Sequence, residues 1–170
     1  MNDQELLNNI LLNSTFESKK SEMDEFTILY ITKLVSDIIL YVDADISLGD
    51  ITFCDSYNLE HEVSQEITGI PSALDGNIKV LTAFAESYSN LGIAEFDSLC
   101  RESLLDFLNL HNGLFVVELS EKNICELSLG VPKHGNSYEI KPTSNLHGHI
   151  TLIPITFSYG TITFVLLRTS

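Results

Sequence analysis

The sequence predicts an α+β domain in which an antiparallel β-sheet carries helices packed on one face. Two consecutive helical patterns occupy the middle of the chain, over residues 76–89 and 97–113. Four stretches rich in Val, Ile, Phe and Thr follow them, separated by the turn-like sequences EKN, PKHGN and SYG. A run of strands after helices is typical of this class. With 170 residues and 44% hydrophobic residues, the chain suits a single domain with a sizeable core.

The charge of the chain excludes two classes of partner. Nine Lys and Arg residues oppose 24 Asp and Glu residues, which gives a formal net charge of −15. Such a chain repels the phosphate backbone of nucleic acids and anionic membrane surfaces. No basic run with interleaved aromatic residues offsets this repulsion. We therefore expect neither nucleic acid nor membrane as a partner.

Three further features predict a cytoplasmic protein. The amino terminus lacks the positive flank and small-residue cleavage site of a secretory signal. The most apolar stretch, residues 28–42, is interrupted by polar residues and is too short to span a bilayer. The three cysteines, at positions 54, 100 and 125, lack CxxC spacing, which indicates free thiols in a reducing compartment.

The amino-terminal half yields these elements in order. Residues 1–24 form a flexible or short helical segment, with a short helix over 5–12 and a linker over 13–24, and residues 25–170 form the domain. A largely buried helix covers residues 23–41, and a short strand lies near 46–53. Apolar and polar residues alternate over 57–70, which predicts a half-exposed strand. Pro71 and Ser72 mark a boundary, and Asp75 is an N-cap for the helix over 76–89.

The next helix begins at Asp97, whose carboxylate suits an N-cap, and is expected to end at the C-cap glycine Gly113. Strands over 114–120, 124–129, 150–157 and 161–167 complete the prediction. At about 100° per residue, this helix has two faces. One half is apolar and should pack on the sheet; it holds Leu99, Cys100, Leu104, Phe107, Leu108, Leu110 and His111. The other carries a polar stripe within about 60° of arc, formed by Glu102, Asp106, Asn109 and Gly113.

This stripe resembles the signature of the CheC/CheX/FliY family of chemotaxis phosphatases, which is ExxNxxxG on an exposed helix. Here Asp106-Phe-Leu-Asn109-Leu-His-Asn-Gly113 has that spacing, and Glu102 occupies the acidic position that often precedes it. The passage LNLHNGLFVVELSEKNICELSLGVPK (108–133) is similar to the CheX type, in which the motif helix leads into strands. Residues 33–40 of the first long helix lack ExxN, so a single CheX-like site fits better than the two sites of CheC.

The resemblance implies a phosphatase that acts on the aspartyl phosphate of a CheY-like response regulator. Asp106 and Asn109 would be the catalytic residues, the acid pairing with the partner's lysine and the amide orienting water. Glu102 and Gly113 would contact the partner. The resemblance implies no cofactor on this chain, Mg²⁺ on the partner's receiver domain, and a homodimer as an oligomeric form. In one respect the chain departs from the family pattern, since Asp106 replaces the usual Glu and is shorter by one methylene, about 1.5 Å of reach.

Alternative interpretations remain open. The same helix could bind a receiver without hydrolysing its phosphate, or the domain could be a sensory or scaffold module with an unrelated small-molecule pocket. A zinc site at His134, His147 and His149 has weak support because no fourth ligand stands at a fixed spacing, and we predict no metal. His111, Cys100 and Cys125 are interpreted as packed residues.

Overall fold

Helices cover one face of a seven-stranded antiparallel sheet in the computed structural model, which describes residues 2–122, 127–142 and 148–169. The helices are α1 (Asp3–Leu12), α2 (Phe16–Lys19), α3 (Glu25–Tyr41), α4 (Ile78–Ser89) and α5 (Ser98–Glu121), with a 3₁₀ turn at Lys20–Glu22. The strands are β1 (Ser47–Leu48), β2 (Thr52–Cys54), β3 (Tyr57–Leu59), β4 (Glu62–Ile67), β5 (Ile70–Asp75), β6 (Lys133–Gly135), β7 (Tyr138–Ile140), β8 (Gly148–Phe157) and β9 (Gly160–Thr169). The predicted α+β class is confirmed.

The sheet runs in the order β1-β8-β9-β5-β4-β6, and β2 also pairs with β8. Its centre is the hairpin β8–β9, which pairs from Gly148↔Thr169 to Phe157↔Gly160. The predicted strands over 150–157 and 161–167 are thus confirmed. Gly160, at φ +135°, closes this hairpin against α4, where an added Cβ would lie 2.5 Å from Val80 Cγ2. Only glycine fits that close approach.

Both faces of the sheet are covered. The face toward the helices contributes alternate side chains of β4, β8 and β9 to the main core, which also takes in α1, α3, α4 and α5. The opposite face holds a smaller cluster over which the two-stranded sheet β3–β7 lies. The strand predicted over 57–70 is divided into β3 and β4. In β4 the core-facing Val63, Gln65 and Ile67 are buried, whereas on the other face Glu62 is half-buried and Glu66 exposed, so the half-exposed pattern is confirmed there.

Helix α5 does not end at Gly113, and this corrects the sequence prediction. It continues to Glu121, so the strand expected over 114–120 is helix. The continuation buries Phe115 and Leu119 completely. Burying two such side chains gains about 1.5–3 kcal/mol each, which exceeds the roughly 1 kcal/mol that an interior glycine costs a helix. Of the strand predicted over 124–129, residues 124–126 lie outside the described residues, and Leu129 makes an isolated bridge to Ile67.

The boundary around residue 71 also differs from the prediction. Pro71 and Ser72 lie inside β5, and the chain turns instead at Thr68 and Gly69, both with positive φ. Proline is tolerated there because β5 begins to pair with β9 only at Ser72. Asp75 ends β5, so the N-cap of α4 is Asn77, whose Oδ1 accepts from Val80 N.

Two further boundaries agree with the sequence prediction, and two segments differ from it. The helix predicted over 23–41 is α3, and Asp97 caps α5 by accepting from Cys100 N. The strand predicted near 46–53 is divided into β1 and β2. The linker interpretation of 13–24 is wrong where α2 and the 3₁₀ turn form, since Phe16 is buried in the core. Within the described parts of the chain, no helix combines the length and apolar character needed to cross a bilayer.

A buried polar pair joins α3 to α5. Asp37 and His111 are both inaccessible to solvent, and Nδ1 of His111 lies 2.8 Å from Oδ2 of Asp37. Lys33 Nζ lies 3.3 Å from the other carboxylate oxygen. Burial lowers the pKa of His111 below its ordinary value, against the opposing effect of Asp37. The imidazole is therefore neutral at pH 7 and donates from Nδ1, which confirms the interpretation of His111 as a packed residue.

This pair predicts a pH dependence of stability. A lowered pKa in the folded state means that the unfolded chain binds a proton first, so the stability due to His111 is present above pH about 6.5 and is lost below it. Stability should therefore fall as the pH is lowered below about 6.5. The variant His111→Asn keeps a donor for Asp37 but does not titrate. Urea unfolding of both proteins across this range should give a flatter profile for the variant, and parallel profiles would contradict the assignment.

Candidate functional site

The polar stripe of α5 lies on the surface of the molecule. Glu102, Asp106 and Asn109 are exposed, and Gly113 is half-buried one turn further on. Positions i and i+3 on a helix project in nearly the same direction, so Asp106 and Asn109 present a carboxylate and a carboxamide side by side. The residues expected on one stripe therefore share one face of the helix.

The opposite face of α5 is mostly apolar, as predicted. Cys100, Leu104, Phe107, Leu108 and His111 have no exposed surface. Leu99 differs, since 41% of it is exposed, and Leu110 is half-buried. The packed face is therefore narrower than the sequence suggested, and these two leucines border the polar stripe.

Gln65 holds the carboxamide of Asn109. Its Nε2 donates to Asn109 Oδ1 at 2.8 Å and to the carbonyl oxygen of Gly130 at 2.9 Å. Its Oε1 accepts from Asn112 Nδ2 at 2.9 Å. Gln65 is 2% exposed, whereas the Asn109 that it holds is exposed. A buried side chain of the sheet thus orients a surface side chain of the helix.

Tyr88 holds the carboxylate of Asp106. The phenol at the end of α4 donates to Asp106 Oδ2 at 2.6 Å. Partial burial raises the pKa of Tyr88 above its ordinary value, and the hydrogen bond to Asp106 and the charge of that carboxylate raise it further. The phenol therefore stays protonated and acts as a donor.

Sequence reasoning missed Gln65, Asn112 and Tyr88. A signal for Gln65 was present, because it shares the core-facing side of β4 with Val63 and Ile67, and a polar residue at such a position needs a partner. No comparable signal in the sequence marks Tyr88. Its contact with Asp106 depends on how α4 and α5 pack.

Two open clefts flank the acidic stripe. One, of about 500 Å³, is lined by Tyr41, Tyr88, Ser89, Leu91, Leu99, Glu102, Ser103, Asp106 and Leu110. The other, of about 300 Å³, is lined by Glu102, Leu105, Asp106, Asn109 and Pro132. Glu102 and Asp106 belong to both, so their carboxylates stand on a ridge between two partly apolar depressions. A ridge of this shape suits insertion into a partner.

The described side chains that line the two clefts include carboxylates but no basic group. Among the described residues that line the two clefts, none is Lys, Arg or His. Such a surface repels a free phosphate ester, so any phosphoryl group handled here has to arrive with its own cations. No group of three His, Cys, Asp or Glu side chains in the described ranges is placed to hold a metal ion, although His147 and Cys125 lie outside those ranges. Cys54 and Cys100 are free thiols, and Cys100 is buried as predicted.

The comparisons with known proteins bear on the fold. No family model matches the sequence, and no curated protein sequence matches it. Solved structures do match. A CheC-like superfamily protein from Shewanella sp. PV-4 has a TM-score of 0.70 at 14% identity, covering 85% of this chain and 98% of that one. CheX from Desulfovibrio desulfuricans has a TM-score of 0.67 at 14% identity, covering 86% and 100%.

A third structure contains a partner protein. The CheX–CheY–BeF3–Mg²⁺ complex from Borrelia burgdorferi matches with a TM-score of 0.59 at 14% identity, covering 85% of this chain and 97% of that chain. The resemblance read from the polar stripe is thus confirmed for the architecture across most of the chain. This protein has the fold of the CheC-like and CheX chemotaxis proteins.

Proposed function

We propose that this protein is a CheX-like phosphatase that hydrolyses the aspartyl phosphate of a CheY-type response regulator, in chemotaxis or a related two-component circuit. The observation that carries the proposal is the joint exposure of Asp106 and Asn109 at positions i and i+3 of α5. Burial of either would have prevented insertion into a partner. The Borrelia burgdorferi complex supports a CheY-like partner, and the cytoplasm is the compartment we expect.

In this proposal each residue of the polar stripe has one role. Asp106 enters the receiver's cleft and pairs with a lysine beside the acyl phosphate. Asn109 orients a water molecule in line with phosphorus. Glu102 contacts basic groups at the rim of the receiver, and Gly113 lets the receiver's backbone approach the helix. A homodimer remains a prediction.

The reaction needs little chemistry from this chain. The water oxygen forms a bond to phosphorus, the bond from phosphorus to the aspartyl oxygen breaks, and the receiver's carboxylate leaves. Because an acyl phosphate has a good leaving group, the remaining barrier is reduced by positioning and electrostatics. The acidic ridge is consistent with a reaction in which the receiver supplies the positive charge. Positive charge for the phosphoryl group comes from the receiver's lysine and its Mg²⁺, and this chain needs no cofactor.

A second candidate is a module that binds the receiver without hydrolysis. Two observations favour it: the acid is Asp rather than Glu, and Tyr88 already bonds its carboxylate. In that case the protein would bind the phosphorylated receiver and release no phosphate. A small-molecule function has less support, because the clefts of about 500 and 300 Å³ are open and share the acidic ridge, and the more enclosed pocket beside Gln65 holds only about 90 Å³.

Removing either side chain should abolish turnover. With a CheY-type receiver phosphorylated by acetyl phosphate in the presence of Mg²⁺, Asp106→Ala and Asn109→Ala should each lower the rate of phosphate release about 100-fold or more, because each removes a positioned group. Val117→Ala, on an exposed part of the same helix, is the matched control and should leave the rate unchanged. Binding without phosphate release by the wild type would instead establish the second candidate.

Lengthening the acid should speed the reaction. If the short side chain limits reach, Asp106→Glu should raise the single-turnover rate by about 10- to 100-fold, the range that a misplacement near 1 Å commonly costs. Single-turnover measurement isolates the chemical step from product release. An unchanged or lower rate would mean that the surface around Asp106 has already adapted to the shorter side chain.

Gly113 offers a test of close approach. A Cβ at this position would meet only Leu129 Cδ1, at 3.9 Å, an ordinary contact. Gly113→Ala should therefore stabilise the fold by about 0.5–1 kcal/mol, because alanine is the better residue inside a helix. The same change should raise KM for the phosphorylated receiver if the partner's backbone needs that space. Denaturant unfolding and kinetics on one preparation should show the higher stability and the higher KM together. An unchanged KM would mean that Gly113 does not contact the receiver.

A further inference from the structure

We propose that Gln65 is a positioning residue that turns the amino group of the Asn109 carboxamide, rather than its oxygen, toward the partner. The inference rests on the proposed function for its kinetic consequence, but the orientation itself is a property of this chain alone. Gln65 is buried in the sheet and acts only through Asn109.

The first step is the orientation of Gln65. Its side-chain nitrogen lies 2.9 Å from the carbonyl oxygen of Gly130, a group that can only accept a hydrogen bond. The atom of Gln65 on that side must therefore be the donor Nε2. The same nitrogen lies 2.8 Å from Asn109, so the Asn109 atom facing it must be the acceptor Oδ1.

An independent anchor fixes the other end of Gln65. The hydroxyl of Ser72 donates its proton to the backbone carbonyl of Gln65 at 2.8 Å, so Ser72 Oγ can only accept from its other neighbours. Ser72 Oγ accepts from Asn112 Nδ2 at 2.9 Å, and the same nitrogen donates to Gln65 Oε1 at 2.9 Å. Asn112 Oδ1 then faces the hydroxyl of Tyr30, which donates to it at 3.4 Å. Two backbone carbonyl groups, those of Gly130 and Gln65, thus lead to the same orientation of all three side-chain amides in the network. These amides belong to Gln65, Asn109 and Asn112.

The consequence lies at the surface. With Oδ1 of Asn109 turned inward, its two N–H bonds point to the side where a receiver would dock. A water molecule there accepts a hydrogen bond from Asn109 and keeps a second lone pair for phosphorus. The carboxamide cannot take a proton from that water. The proton passes instead to a phosphoryl oxygen or to solvent. Asn109 therefore orients the nucleophile and does not act as a base.

Fixing this side chain matters because an exposed asparagine rotates freely about its last torsion angle. The hydrogen bond from Gln65 selects one of the two amide orientations and so raises the fraction of productive encounters. Gln65 itself does not reach the surface at which the partner docks. Its loss should affect the rate of the bound complex and leave affinity unchanged.

The kinetic test uses three variants. Gln65→Leu removes the donor, and Gln65→Glu replaces it with a carboxylate of the same shape that only accepts. Both should lower kcat about 10- to 100-fold with KM for the phosphorylated receiver unchanged. Val63→Ala, on the same face of the same strand, is the matched control for loss of stability and should keep kcat. A fall in kcat that Val63→Ala reproduces, or a change confined to KM, would overturn the positioning role.

Asn109→Asp tests the orientation from the other side. An aspartate keeps an oxygen toward Gln65 but replaces the outward N–H groups with oxygen. It should fold as the wild type does and lose turnover as fully as Asn109→Ala. Substantial turnover in Asn109→Asp would mean that the outward atom is an acceptor, and the assigned orientation would be wrong.

A measurement without partner separates this inference from the proposed function. In the isolated chain, the side-chain amino protons of Asn109 should exchange with water at the rate of an exposed asparagine, measured by NMR after assignment with Asn109→Ala. In Gln65→Glu the amide should turn inward to the carboxylate, and exchange should slow about fivefold or more. Slow exchange in the wild type would overturn the orientation. Normal exchange in a wild type that releases no phosphate would retain the orientation and overturn only the proposed function.

Discussion

The hydrogen bonds between Gln65 and helix α5 are the constraint on which the candidate site depends. Apolar contacts of leucines and phenylalanines hold α5 on the sheet, but contacts of that kind tolerate small rotations of a helix. The hydrogen bonds from Gln65 to Asn109 and Asn112 do not tolerate such rotations, because a buried amide left without a partner costs about 1–3 kcal/mol. They restrain α5 at Asn109 and Asn112, whereas the apolar packing of the opposite face sets which side of the helix faces solvent. The direction in which the Asn109 carboxamide is presented follows from that restraint.

Local patterns predicted the parts of the fold that local interactions determine. The amphipathic spacing and the Asp97 cap predicted where α5 begins and which face is polar, and stretches rich in Val, Ile, Phe and Thr predicted β8 and β9. The end of α5 could not be predicted in this way. Gly113 has the local character of a helix stop, and only the tertiary burial of Phe115 and Leu119 overrides it. The exposure of Asp106 and Asn109 could be predicted from the spacing, whereas the groups that hold them depend on contacts between distant elements.

Charge determines what this surface can do. With a formal net charge of −15 and no basic side chain lining either cleft within the described residues, the ridge cannot gather phosphate from solution. It can act only on a phosphoryl group already neutralised by another molecule. The acidity that excluded nucleic acid at the outset is thus compatible with phosphoryl chemistry carried out in a partner's site.

The contact between Tyr88 and Asp106 bears on whether this ridge is catalytic or only binds. A carboxylate has two oxygens and about four acceptor positions, and Tyr88 takes one of them at Oδ2. Oδ1 remains available to a lysine, so the phenol does not prevent the ion pair that the proposed mechanism requires. It restricts the rotation of Asp106 and thereby favours one direction of approach. The remaining difference from a glutamate is length alone, about 1.5 Å. Whether the ridge hydrolyses or merely binds therefore depends on how deeply α5 seats in the receiver, and Gly113 is the residue of the stripe best placed to allow a closer approach.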